Sequence, residues 1–153
     1  MFHNHVSIDV GKVLFEYGEE AFQELVWQVR LLVFESAAKH KLPGLVFTWD
    51  YSHSDLKPLL DRLLSTLAPY DVEVHHAHVH CSQTSLEDRV QQSDRKAADK
   101  IHTVEALHRQ QALKHHAIIT GTDSLDIDNT NLSPDAAVET ITAAFFLPRP
   151  DVK

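Results

Sequence analysis

Short β-branched and aromatic runs punctuate this chain between amphipathic helical stripes, and that alternation leaves few architectures open. From Gly18 to about His40, Phe22, Leu25, Val26, Val29, Leu32, Val33 and Ala37 recur at the helical period and predict one long helix. Pro43 and Gly44 end it, and residues 45–49 follow with the composition of a buried strand. Ser54 or Asp55 caps the next helix. Pro58 falls in its tolerated first turn, and Leu56, Leu59, Leu60, Leu63, Leu64 and Leu67 form its stripe before Pro69. Residues 72–81 read as strand. Thr84-Ser85-Leu86-Glu87 fits a capping box that opens a short helix through Arg89 and Val90, and residues 93–99 read as a polar loop. A helix through Ile101, Val104 and Leu107 to about His115 leads to a strand at 117–119, and residues 125–128 form a further extended segment. Ser133 is an N-cap, Pro134 takes the first helical position, and Ala137, Ile141 and Phe145 supply the last buried face. The expected fold is α/β with three layers, a mostly parallel sheet with helices on both faces, in a single domain over residues 1–153.

Chain length and charge narrow the function classes. With 153 residues, 43% of them apolar, the chain can bury one core but not two full ones. Acidic residues exceed basic ones by 22 to 14, a formal charge of −8 that disfavours nucleic acid and anionic membrane surfaces as partners. No apolar run reaches the length of a bilayer span. The lone Cys81 forms no internal disulfide, and Met1-Phe2-His3-Asn4-His5 lacks a basic region and an apolar region, so a reducing, cytoplasmic setting is expected.

Three stretches carry a resemblance. They are Phe2-His3-Asn4-His5 with Asp9, then His80-Cys81 with Leu86, Arg89, Val90 and Arg95, and last residues 124–130 followed by Leu132-Ser133-Pro134-Asp135. Together they resemble the P-loop small-molecule and nucleoside-monophosphate kinases, the gluconate kinase-like and shikimate kinase-like enzymes. The resemblance implies ATP-dependent phosphoryl transfer to a small-molecule acceptor with Mg²⁺, and a lid-like segment at 82–100. One departure dominates. The loop G-x-x-x-x-G-K-[ST], whose amides and lysine converge on phosphates, does not occur; Gly11-Lys12 is followed by Val13. The first strand and loop of such a kinase are therefore expected to lie upstream of Met1, and the chain as it stands is expected to be inactive. The alternative expectation is a non-catalytic binding protein of degenerate kinase fold, forming a homodimer through exposed strands.

By that resemblance Arg89 and Arg95 would stabilise the transferring phosphoryl group, and Asp9 would stand near Mg²⁺ or act as base. Two solvated arginines and an ordinary loop or capping aspartate are the competing readings. His3, Asn4, His5 and Arg30 would line the acceptor pocket, although Arg30 can also be plain amphipathicity. Asp50 ends the strand at 45–49, where ligands of open α/β folds gather. Thr120, Gly121 and Thr122 would lie against adenine, or form a glycine turn.

Twelve histidines are the remaining peculiarity. His76, His78 and His80 alternate along a predicted strand and share one face. Residues two apart on a strand stand roughly 6.5–7 Å apart, so three in a row converge poorly on one ion, and no dedicated metal site is expected. Cys81 points away from His80 and has no base there.

Overall fold

The structure, a computed structural model, describes residues 1–49, 56–93, 95, 100–113 and 124–148. The chain packs as two units, Met1–Val74 and His75–Lys153.

The first unit holds α1 (Asn4–Lys12), α2 (Glu20–Lys39) and α3 (Leu56–Leu67), the last running into a 3₁₀ turn at Ala68–Tyr70. Helix α1 has no hydrophobic stripe to announce it. Its buried positions are Ser7 and Gly11, one turn apart, while Val6, Val10, Val13 and Leu14 are exposed. Small residues let α1 lie close on α2: a Cβ at Gly11 would stand 2.8 Å from the Phe22 ring and 2.9 Å from Val26. Gly11 is thus a packing glycine.

Helix α2 buries Phe22, Val26, Trp27, Arg30, Leu31 and Phe34. The expected face is rotated: Leu32 is 66% exposed, and the inward stripe runs through Trp27, Leu31 and Phe34. Aromatic bulk decides this, because these rings bury the most area. The helix ends at Lys39 with His40 as its C-cap, before Pro43, and Lys41 then takes a left-handed φ of 54°. Leu60 and Leu63 of α3 complete the core.

The second unit contains β1 (His76–His80), α4 (Gln83–Val90), α5 (Val104–Leu113), β2 (Ser124–Asp128) and α6 (Pro134–Ala144). Strands β1 and β2 pair in parallel, His76 opposite Ser124 through His80 opposite Asp128. The Asn129 amide extends the ladder by donating to the His80 carbonyl at 2.8 Å. Ser82, two residues before the expected box, caps α4 by accepting from the Ser85 amide at 3.3 Å. Ser133 caps α6 as expected, accepting from Ala136 at 3.2 Å with Pro134 behind it. Among the described residues of this unit, Val90 of α4 and Ile127 of β2 are the buried apolar side chains.

The three-layer, mostly parallel sheet is not formed. Among the described residues there is one two-stranded sheet and one isolated bridge, Phe2 with Phe47. The run at 45–49 makes that single bridge, through the Phe2 amide to the Val46 carbonyl at 2.8 Å, and leaves Val46 63% exposed. Its apolar content serves an aromatic cluster instead. The Phe47 ring lies 5.2 Å from Phe2 and 5.1 Å from Phe34, and rings in contact stabilise beyond their area by about 0.5–1.5 kcal/mol. The strand expected at 72–81 is confined to His76–His80, and residues 117–119 lie outside the described residues.

Candidate functional site

Arg30 is the residue of the first unit whose chemistry most needs an explanation. It sits on the inner face of α2 and is 6% exposed. The Nε–H donates to Ser7 Oγ at 3.0 Å, and Nη2 donates to Asn4 Oδ1. Ser7 is fully buried, and its hydroxyl donates in turn to the Asn4 carbonyl at 2.8 Å. The guanidinium lies over two aromatic faces, 5.0 Å from the Trp27 ring centre and 5.6 Å from that of Phe47. Asn4 and Ser7 reach it because they stand one helical turn apart on the α1 face that Gly11 brings against α2.

Every one of these partners is neutral. Among the described residues no carboxylate pairs with Arg30. Burial pushes its pKa down to about 10, against an upward pull from Tyr17, so the group stays charged at neutral pH. Removing a cation from water without a counter-ion costs several kcal/mol. Two hydrogen bonds from a charged donor return about 1.5–3 kcal/mol each, and a desolvated cation–π contact about 2. These terms hold the guanidinium in place, and no carboxylate among the described residues balances its charge. Helix α1 starts at the same spot with no acidic residue in its first turn and no side-chain cap from His3, so its amide end is electropositive as well.

Of the residues singled out from sequence, the structure brings Asn4 and Arg30 into hydrogen-bond contact. His3 and His5 are exposed at the start of α1, and Asp9 is exposed on its outer side. In the second unit, Arg89 donates from Nη1 to Asn129 Oδ1 at 2.8 Å and from Nη2 to the Asn129 carbonyl at 2.7 Å, tying α4 to the turn after β2. Arg95 donates from Nε to the Ile101 carbonyl at 2.8 Å. Asp50, Thr120, Gly121 and Thr122 lie outside the described residues. Ser7 was not foreseen; its signal was the helical spacing Asn4, Ser7, Gly11, a stripe of small and polar residues. A groove of about 410 Å³ between α2 and α3, lined by Glu20, Gln23, Glu24, Trp27 and Leu59, has an acidic rim and does not suit an anion.

Compared with protein-family models, curated proteins and solved structures, the chain matches none.

Proposed function

We propose that this chain binds a small anion, a carboxylate or phosphate group of a metabolite, at Arg30 and the first turn of α1. The observation that carries the reading is a guanidinium 6% exposed whose described partners are all neutral. An arriving oxyanion would take over the Nη2–H now given to Asn4 and would meet the uncapped amides of Asn4 and His5. Among the functions suggested by the kinase resemblance, this is acceptor binding. ATP-dependent transfer with Mg²⁺ would need a phosphate-binding loop, and these 153 residues contain none.

Thermal melting against inorganic phosphate and against a sugar acid, at constant ionic strength, tests the reading. A saturable rise in Tm for the parent, lost in Arg30→Met, is the expected result. Equal shifts in parent and variant, or none beyond those given by chloride, would overturn it.

A second reading, a homodimer through exposed strands, is favoured by one observation. Among the described residues β1 ladders to β2 on one edge, and its Val79 is 46% exposed, whereas a two-stranded pair by itself is marginal in water. Light scattering across a dilution series reports it: a mass of twice 17.3 kDa supports the dimer and a mass of 17.3 kDa throughout removes it.

A further inference from the structure

The polar face of the strand pair carries His76, His78 and His80 from β1 and Ser124, Asp126 and Asp128 from β2, because parallel pairing in this register puts residues of one parity on one side. Three of these side chains converge. Asp126 stands directly opposite His78 and diagonally from His80, and its two oxygens divide between them: Oδ1 lies 2.6 Å from His78 Nδ1, and Oδ2 lies 3.2 Å from His80 Nε2. The imidazoles are stacked, with ring centres 5.3 Å apart and planes 24° from parallel. The distance that separates alternate residues on one strand is thus overcome by two means. His78 uses its near nitrogen and His80 its far one, and a carboxylate from the neighbouring strand fills the space between.

The geometry points to a site for one divalent first-row transition ion, with His78 Nδ1, His80 Nε2 and an Asp126 oxygen as ligands. These atoms lie within 4.8 Å of one another. Ligand atoms around tetrahedral zinc stand about 3.3 Å apart, given bonds of about 2.0–2.1 Å. Small rotations of half-exposed side chains, 39%, 40% and 66% exposed, bridge the difference. The ion replaces the protons now shared between imidazole and carboxylate, so the arrangement that holds the empty pairings is the one a metal would use. Two imidazoles with one carboxylate suit Zn²⁺, Fe²⁺ or Ni²⁺ rather than the all-oxygen preference of Ca²⁺ and Mg²⁺. Asp128 does not compete as a ligand through Oδ1, which accepts from the Thr130 amide at 2.9 Å and hydroxyl at 2.6 Å. Exposure leaves the fourth position to water, as in zinc sites with three protein ligands.

The test is calorimetric titration of the full chain with Zn²⁺. One ion per chain is expected at the tightest site, with affinity reduced about tenfold or more in Asp126→Asn and in His80→Gln, and retained in His40→Gln, an exposed histidine of the first unit. Affinity that is equal in Asp126→Asn and the parent would overturn the assignment, leaving a histidine-rich surface only. Co²⁺ absorption of the unsubstituted protein gives a check that needs no variant to fold. Intense visible bands of a four-coordinate ion support the site, and the weak spectrum of the aqueous ion contradicts it.

Discussion

Arg30, buried among described partners that are all neutral, is the side chain on which the proposed anion site rests. Replacing a buried cation that no described carboxylate pairs recovers its desolvation cost of several kcal/mol, against the hydrogen bonds to Ser7 and Asn4 that are lost. Arg30→Met is therefore expected to match or exceed the parent in urea denaturation while losing the response to phosphate; a variant much less stable than the parent would show that the guanidinium serves the core alone. Gly11 lies at the opposite extreme. Gly11→Ala gains about 1 kcal/mol in helix propensity but drives a methyl group into the Phe22 ring and Val26, so a net loss of about 1–2 kcal/mol is expected. The sequence showed the residue types at this site but not their geometry. Arg30 was a legible candidate, but an arginine between Val29 and Leu31 reads equally well as a solvated face. Ser7 was illegible, since a serine carries no sign of burial until its helix is known.

At the scale of elements, caps and charge pairs set the end geometry. Ser133→Ala removes the acceptor for the Ala136 amide and should cost about 1 kcal/mol, read from the shift in urea midpoint. Two surface carboxylates tie helices together. Glu87 of α4 accepts from Gln83 and from His108 of α5, and Glu24 of α2 from Gln28 and from Arg62 of α3. Those bonds hold both carboxyls below their ordinary 4.5. A depressed carboxyl contributes stability that is present above its unfolded pKa and lost as pH falls toward the folded one. Stability should thus decline on acidification from about pH 4.5 downward, and Glu87→Gln should flatten the profile. Elements with strong local signals were foreseen: α3 by its leucines, α6 by Ser133-Pro134, and β1 and β2 in part. Helix α1 escaped because it buries small residues. The α2 face was rotated because the apolar count along a helix does not say which side meets the largest rings.

Across the whole molecule, the alternation of helical and β-branched runs suggested a sheet with many strands, and the chain forms one strand pair and a bridge among its described residues. Alternation identifies segments able to pair, whereas a ladder also needs a partner in register. The run at 45–49 resolves that competition in favour of an aromatic cluster. The metal-ligand cluster was half legible: the sequence puts three histidines on one face, but Asp126 joins them only through a register that spans 48 positions between His78 and its partner. The formal charge is −8 with the twelve histidines counted as neutral. A solubility minimum close to the isoelectric point of 5.8 is expected in a turbidity scan.

The Arg30 Nε–H resonance, followed by nuclear magnetic resonance during titration with inorganic phosphate, reports directly on whether an anion binds at this guanidinium. Anion binding at Arg30 is expected to give a saturable shift of that signal together with the amides of Asn4 and His5, while the signals of exposed arginines such as Arg62 stay near their starting values. A fixed Arg30 signal, with only exposed arginines responding, would contradict it and leave Arg30 as an element of packing.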